Sequence, residues 1–229
     1  MINKTILKIN QNFYSNNPKI LGFTTKRNLN VSLDEILSYY SIKKNKIAAC
    51  NQIHSDKVLY IDKPKLYDNV DGLITHFNTN IILKIQTADC IPIFIIDHIS
   101  GLIGLVHSGW KGTYKSIISN AISLFIKKKS KPENIKIYLG ASIQSCCYEV
   151  KSDVSKFFNE AYIINHKNKI YLDLNKKVYN DLLNLGINKN NIFLSQLCTF
   201  ENIDFCSYRR DKKNAGRMYS LLGAVDCNI

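Results

Sequence analysis

Three side chains in this sequence are of types that bind transition metals, and each lies in a segment of unusual composition. They are His54 in Asn-Gln-Ile-His, Cys90 in Thr-Ala-Asp-Cys and His107 in Val-His-Ser-Gly-Trp-Lys-Gly. Two imidazoles and one thiolate suit zinc or copper. Three protein ligands leave one coordination position open, as in a catalytic zinc site. The pattern favours a metal-dependent enzyme, although a lone histidine or cysteine is more often a structural residue.

The chain around Cys90 and His107 is predicted to form β-strands. Short β-branched runs bounded by turn residues lie at 80–85, 91–96 and 102–106. The link 97–101 has the length of a hairpin loop, so the second and third strands should be antiparallel neighbours. This pairing would bring Cys90 and His107 to the same end of the hairpin. Pro92 has no N–H for a strand ladder, which places it at a strand start or edge.

Helices are predicted at fewer places. Apolar residues at helical spacing indicate a helix over 113–128. Ser32 and Glu35 form a plausible capping box for a helix through Ser38, and Gly186 is a suitable stop for a helix over 175–185. Because strands outnumber helices and do not alternate strictly with them, the pattern favours an α+β fold with mixed or antiparallel sheets. No repeat or flexible linker divides the chain, so residues 1–229 are read as a single domain.

Composition narrows the class of protein. The chain has 229 residues, of which 45% are hydrophobic, enough for a substantial core. No run of about 18 apolar residues is present, and the N-terminal sequence lacks the apolar stretch of a signal peptide, so we expect a cytoplasmic protein without a membrane span. The net charge of +13 comes from scattered lysines. Nucleic acid is therefore not the expected partner, whereas small anionic ligands are.

Seven cysteines without a secretion signal argue against a disulfide framework. We expect free thiols, and the absence of a Cys-x-x-Cys pair gives no sign of a zinc ribbon. Cys146 and Cys147 are adjacent, so in a strand their side chains would point to opposite faces.

Two further segments carry polar chemistry. Arg209 and Arg210 present guanidinium groups suited to phosphate or carboxylate, although the pattern alone slightly favours a surface salt-bridge cluster with Asp211. The loop 140–150 is rich in small residues and contains Glu149, which could act as an acid or base or simply lie in a tight connection. In Ser-Gly-Trp-Lys-Gly, the glycines indicate backbone held close to another group, or a tight strand-to-helix turn.

Taken together, these segments resemble the YfiH family, also called DUF152 or the multicopper polyphenol oxidoreductase (laccase-like) family. The matching pieces occur in the family's order and span roughly residues 50–217. They are Gln52-Ile53-His54, Thr87-Ala88-Asp89-Cys90-Ile91-Pro92, His107-Ser108-Gly109-Trp110-Lys111-Gly112, Cys146-Cys147-Tyr148-Glu149-Val150, and Cys198-Thr199 with Ser207-Tyr208-Arg209-Arg210-Asp211 and Gly216-Arg217.

The resemblance implies a single layered α/β domain of the YfiH-like type and a metal site formed by His54, Cys90 and His107. It also implies action on purine nucleosides: phosphorolysis of adenosine, inosine, guanosine and methylthioadenosine, and hydrolytic deamination of adenosine. Zn²⁺ is the expected cofactor, with Cu²⁺ as the alternative. Inorganic phosphate and purine nucleosides are the expected small-molecule partners.

On this hypothesis Cys90 and His107 are catalytic as well as metal-binding, and zinc would activate water for deamination. Arg209 and Arg210 would hold the phosphate that attacks the ribose, with Lys111 behind them. Gln52 and Glu149 are predicted to contact substrate. The general acid stays open between Asp89 and Glu149.

Three other functions remain open from the sequence. Cys90 as nucleophile with His107 as base would make a cysteine hydrolase, which leaves His54 without a role. Copper-dependent phenol oxidation needs several clustered copper centres and many histidines, whereas the chain has five. A nucleic-acid-binding module would exploit the positive charge, but no RNA-binding signature interleaves aromatic with basic residues.

Overall fold

The computed structural model describes residues 6–8, 20–27 and 32–225. Within these ranges the chain forms fifteen strands and six α-helices. The strands are β1 (Ile6–Lys8), β2 (Ile20–Thr25), β3 (Ile47–Asn51), β4 (Val58–Tyr60), β5 (Leu66–Asp68), β6 (Gly72–His76), β7 (Ile82–Thr87), β8 (Ile91–Asp97), β9 (Leu102–Ser108), β10 (Lys136–Leu139), β11 (Glu149–Val150), β12 (Ile163–His166), β13 (Lys169–Leu172), β14 (Ile192–Leu194) and β15 (Met218–Ala224). The helices are α1 (Leu33–Tyr39), α2 (Trp110–Tyr114), α3 (Ile117–Lys127), α4 (Ser152–Ser155), α5 (Leu174–Asn184) and α6 (Tyr208–Asp211).

The strands form two six-stranded sheets and a small third sheet. The first sheet has the order β1-β2-β15-β7-β3-β5, the second β14-β10-β8-β9-β6-β4, and the third β11-β13-β12. Strand β3 runs parallel to β5 and β7, β4 to β6, and β10 to β14, while the other pairs are antiparallel. The predicted α+β class with mixed sheets is therefore confirmed.

Apolar side chains from both large sheets share one core. Leu83 and Ile85 of the first sheet pack in the same buried cluster as Phe94 and Leu105 of the second. On its other face the second sheet packs against α3 and α5, and the outer face of the first sheet packs against α1. The result is a layered order of helix, sheet, sheet and helix, which agrees with the expected layered fold.

The predicted hairpin is present and in the expected pairing. Strands β8 and β9 are antiparallel, with Pro92 directly opposite His107. Pro92 is the second residue of β8, where a missing N–H costs the ladder little. The hairpin therefore fixes His107 beside the chain segment that begins with Cys90.

The helix predictions hold in part. Ser32 and Glu35 form the predicted capping box at the start of α1. Gly186 follows α5 with φ +82°, a left-handed conformation that suits glycine. The single helix predicted over 113–128 was wrong, because Ser116 has φ +61° and separates α2 from α3. Ser207 caps the short helix α6, which carries Arg209 and Arg210.

No helix in the described part of the chain is long and apolar enough to cross a membrane. Helix α3 ends at Lys127, and Lys128 is its C-terminal cap residue. Cations there interact favourably with the negative end of the helix dipole.

Candidate metal centre and its surroundings

The structure brings His54, Cys90 and His107 together. His54 lies in the loop after β3, Cys90 in the short link between β7 and β8, and His107 in β9. Their potential ligand atoms all lie within 4.8 Å of one another, and Cys90 Sγ is 3.9 Å from His54 Nε2. Sulfur and nitrogen ligands of a tetrahedral zinc ion lie about 3.5 Å apart. The three residues therefore fit a metal ion with only small adjustment, and we call them the triad.

The fully buried carboxylate of Asp71 positions the triad by contacting His107 and the loop that carries His54. Its Oδ1 lies 2.8 Å from His107 Nδ1 and accepts the backbone N–H of His54 at 3.0 Å. Its Oδ2 accepts the backbone N–H of Ser55 at 2.6 Å and the Ser55 hydroxyl at 2.7 Å. Because Asp71 holds Nδ1 of His107, Nε2 is the nitrogen left for a metal, as in many carboxylate–histidine–zinc arrangements.

Asp71 is a site residue that the sequence analysis missed. It precedes the buried strand β6, and its side chain is wholly inaccessible to solvent. A carboxylate at such a place is costly unless it is paired, and this signal could have identified it. Its partner His107, 36 positions away, cannot be read from local sequence.

Charges within the site shift the pKa values of its members. Although burial raises the pKa of the Asp71 carboxyl, hydrogen bonds from His107 and Ser55 lower it to about 2. Burial likewise raises the pKa of the Cys90 thiol, but the charge of His107 and hydrogen bonds to both histidines lower it to about 6. Burial lowers the pKa of His107, and the negative charges of Cys90 and Asp71 raise it to about 9. Cys90 is thus a thiolate at neutral pH, the form that binds metals.

Gly109 allows the backbone to approach the triad closely. A Cβ at this position would lie 2.9 Å from both Cys90 Sγ and His54 Cδ2. A Cβ at Gly112 would lie 2.9 Å from the carbonyl oxygen of Ser55. The prediction that these glycines lie close to another group is confirmed. His54 itself has φ +60°, an uncommon conformation for a non-glycine residue, which the Asp71 hydrogen bond to its N–H helps to hold.

Arg209 is linked to the triad by a hydrogen bond to Asp89, the residue before Cys90. Asp89 Oδ2 accepts the backbone N–H of Arg209 at 2.8 Å, and Oδ1 accepts the Thr199 hydroxyl at 2.7 Å. The Arg209 guanidinium lies over the Tyr148 ring, 5.3 Å from its centroid, and Nη1 donates to the carbonyl oxygen of Glu149. Among the described residues no partner is found for its Nε and Nη2, so Arg209 has donors left for an anion.

Arg210 has a different role. Nε donates to Asp211 Oδ1, Nη1 to the carbonyl oxygens of Thr199 and Phe200, and Nη2 to the carbonyl oxygen of Phe205 and to Asp211 Oδ2. These bonds use all five N–H donors of a guanidinium. The salt bridge with Asp211 that the sequence left open is present. Binding phosphate through Arg210 would require giving up loop contacts.

The three residues predicted to bind substrate are found in different environments. The Gln52 side chain exchanges two hydrogen bonds of 2.8 Å with the backbone of Gln86 and so ties the His54 loop to β7. Lys111 is exposed, with its ammonium group 5.6 Å from the centroid of the Trp110 ring. The Glu149 carboxylate is exposed and pairs with Lys169 at 2.9 Å. Their contact with substrate stays a prediction.

The chain is similar to a family described as multi-copper polyphenol oxidoreductase laccase, whose model matches residues 24–224. A relative from Deinococcus radiodurans named purine nucleoside phosphorylase is 33% identical over 180 residues, which cover 77% of this chain and 69% of the relative. One from Borreliella burgdorferi with the same name is 30% identical over 210 residues, covering 88% and 90%.

Solved structures show the same fold. The hypothetical protein YfiH of Bacillus licheniformis superposes with a TM-score of 0.81 at 25% identity, covering 90% of this chain and 92% of that chain. YlmD of Geobacillus stearothermophilus superposes with a TM-score of 0.83 at 23% identity, with the same coverage.

Proposed function

Because the chain belongs to the YfiH/DUF152 family, described as multi-copper polyphenol oxidoreductase laccase, we propose that it is a zinc-dependent purine nucleoside phosphorylase. The observation that carries the proposal is the triad, whose ligand atoms converge within 4.8 Å in front of the buried Asp71 carboxylate. The names of the relatives from Deinococcus radiodurans and Borreliella burgdorferi support the substrate class.

His54, Cys90 and His107 would hold the ion, His54 and His107 through nitrogen and Cys90 through sulfur. Three protein ligands leave a coordination position open, which distinguishes this set from a closed structural site. When bound, zinc supplies Lewis-acid chemistry: it polarises a substrate oxygen or activates water. Asp71 keeps the His107 ring oriented through the 2.8 Å contact with Nδ1.

Phosphorolysis needs a cationic group that positions phosphate for attack on the ribose. A phosphate oxygen bonds to C1′, the C1′–N9 bond breaks with its electron pair going to the purine, and the purine takes up a proton. Arg209 is the favoured phosphate ligand, since it adjoins Asp89 and retains free N–H donors, whereas those of Arg210 are used. Stacking on Tyr148 limits the freedom of Arg209 and presents its planar group in one orientation.

We further propose that the same centre deaminates adenosine hydrolytically, with water replacing the amino group and ammonia leaving. Deamination needs an activated water beside a bound purine nucleoside, and a zinc ion held by the triad would supply it. Guanosine, inosine and methylthioadenosine complete the proposed substrate set for phosphorolysis.

A cysteine hydrolase is the second candidate, and one observation favours it. In the metal-free protein burial raises the pKa of Cys90, but the charge of His107 lowers it to about 6. Burial lowers the pKa of His107, but the charge of Cys90 raises it to about 9. Such a thiolate–imidazolium pair is typical of cysteine nucleophiles. His54 and the Asp71 contacts to its loop have no role in that chemistry, which places it second.

The test is turnover of adenosine and inosine by the zinc-loaded protein with and without phosphate, followed by chromatography of bases and sugars. We expect release of adenine and hypoxanthine with ribose 1-phosphate only when phosphate is present, and inosine from adenosine in its absence. Cys90→Ala is the inactive control. Guanosine and methylthioadenosine are assayed in the same way. Zinc-loaded protein that releases no base from any of these four nucleosides would overturn the phosphorylase proposal, and hydrolase activity unaffected by chelators would favour the second candidate.

A further inference from the structure

A second group of metal-ligating side chains lies outside the triad. It comprises Cys146, Cys147, Cys198 and Glu201, and we call it the thiol cluster. The potential ligand atoms of all four lie within 4.8 Å of one another. All three cysteines are free thiols. None of these residues has a role in the proposed phosphorylase chemistry, so the cluster calls for its own explanation.

The local fold creates this convergence. Cys146 and Cys147 lie in a turn, 145–147, and not in a strand, so their side chains do not point to opposite faces. Their sulfur atoms are 3.4 Å apart. Cys198 approaches from a different segment, which pairs with Ser142 as an isolated parallel bridge. Two loops that are distant in sequence therefore deliver three sulfur atoms to one place.

The spacing matches that of a four-coordinate thiolate site. Sulfur ligands about 2.3 Å from a tetrahedral zinc ion lie about 3.8 Å from one another. This value lies between two observed distances. The sulfur atoms of Cys146 and Cys147 are 3.4 Å apart, and no two potential ligand atoms of the cluster are more than 4.8 Å apart. Three sulfurs and one carboxylate oxygen would also fill all four positions, which is the arrangement of a structural metal site.

The surroundings of the sulfur atoms suit bound thiolates. The backbone N–H of Gln144 donates to Cys198 Sγ at 3.5 Å, the kind of outer contact that stabilises metal-bound sulfur.

We propose that Cys146, Cys147, Cys198 and Glu201 form a second, structural metal site for a thiophilic divalent ion of the zinc class. Bound metal would fasten the 140–148 loop to the segment around Cys198. Both segments contact Asp89: the Ile143 N–H donates to its carbonyl oxygen at 3.0 Å and the Thr199 hydroxyl to its carboxylate at 2.7 Å. The site would thus stabilise the chain beside Cys90 without taking part in turnover. This proposal does not depend on the proposed function.

The test isolates the cluster by removing the triad ligands with His54→Ala and Cys90→Ala. The variant, kept reduced with a phosphine, is titrated with Co²⁺ and followed by thiolate-to-cobalt charge-transfer absorption. We expect one equivalent to bind with strong near-ultraviolet bands and Zn²⁺ to displace it. Adding Cys146→Ser removes a ligand and should weaken Zn²⁺ binding by more than about 10-fold. Loss of a group that only contacts a metal ligand already weakens binding by about 10–100-fold.

A parallel measurement avoids dependence on the triad double variant. Zinc content of the otherwise wild-type chain should be two ions, falling to one with Cys146→Ser, whose exposed side chain makes misfolding a minor risk. Cys50→Ala, which removes a buried thiol outside both groups, should keep two ions. The proposal is overturned if the isolated cluster shows no thiolate–cobalt absorption, or if Cys146→Ser and Cys50→Ala change zinc content equally.

Discussion

The triad and the thiol cluster use the same kind of ligand in opposite settings. The triad has one thiol and two imidazoles, which lie in or close to the ends of strands and in contact with the buried Asp71. The thiol cluster has three thiols and a carboxylate that is itself a potential ligand, and its residues come from loops. The comparison indicates that the number of potential ligands and their outer contacts, more than the presence of cysteine, would separate an open site from a closed one.

The cysteines of the two regions also differ in acidity. Burial raises the pKa of both Cys90 and Cys147, but beside Cys90 the charge of His107 reverses the effect and lowers its pKa to about 6. Around Cys147 the neighbouring thiols add to the rise. We therefore expect Cys90 to be reactive without metal, and the cluster thiols to ionise when a cation binds.

Removal of the triad thiol should have the largest effect. With Cys90→Ala we expect nucleoside turnover to fall at least about 10³-fold, because the centre that stabilises charge in the transition state is lost. Zinc content should drop by one ion while the thiol cluster keeps its own. Turnover assays and metal analysis check this, with Cys206→Ala, a buried thiol outside both groups, as the control. Full activity with full metal content would show that the triad is not the metal centre.

Asp71→Asn keeps the size of the side chain but removes its charge. We expect zinc affinity at the triad to fall about 10–100-fold, since the carboxylate orients His107. Metal binding at the thiol cluster should not change. Competition titrations against a chromophoric chelator measure both affinities, and equal weakening at the two sites would mean that Asp71 acts through global stability alone.

The difference in thiol acidity predicts selective alkylation of protein stripped of metal. A thiol is ionised above its pKa, so Cys90 should react with iodoacetamide at a nearly constant rate above pH 7 and about tenfold more slowly for each pH unit below 6. Cys146, whose pKa is raised, should react slowly throughout that range. Peptide mass spectrometry follows both sites. Faster labelling of Cys146 than of Cys90 at pH 7 would contradict the assignment of charges.

Substitution of the two neighbouring arginines should have smaller effects, on phosphate binding beside the triad in one case and on stability near the thiol cluster in the other. Arg209→Ala should raise the KM for phosphate about tenfold through loss of charge-assisted hydrogen bonds. Arg210→Ala should leave that KM nearly unchanged and lower the free energy of unfolding by about 2 kcal/mol, since Arg210 holds the carbonyl oxygens of Thr199 and Phe200 between Cys198 and Glu201. Phosphate kinetics and urea unfolding test the pair, and exchanged phenotypes would reverse the roles.

Local pattern and family resemblance were enough to predict the triad, the hairpin of β8 and β9, and the Ser32 capping box. What could not be predicted depends on contacts between distant segments. Asp71 pairs with His107 only once β6 and β9 are neighbours. The N–H donors of Arg210 are occupied by carbonyl oxygens of a loop, and the path of that loop cannot be predicted from the sequence. The turn at 145–147, which brings Cys146 and Cys147 together, has no signal in the residues that form it.

The interpretation of residues 1–229 as one domain stays a prediction. The core shared by the two large sheets supports it, since Leu83 and Phe94 come from different sheets and lie in one buried cluster.

Reconstitution of metal-free protein tests the central claim most directly. Cys146→Ser protein, which retains the triad alone, is stripped of metal and titrated with Zn²⁺ while bound zinc and phosphate-dependent release of hypoxanthine from inosine are measured. We predict no activity at the start, a linear rise with bound zinc, and a plateau at one ion per chain. Full activity in the stripped protein, or no activity after one ion has bound, would contradict a zinc-dependent phosphorylase centred on His54, Cys90 and His107.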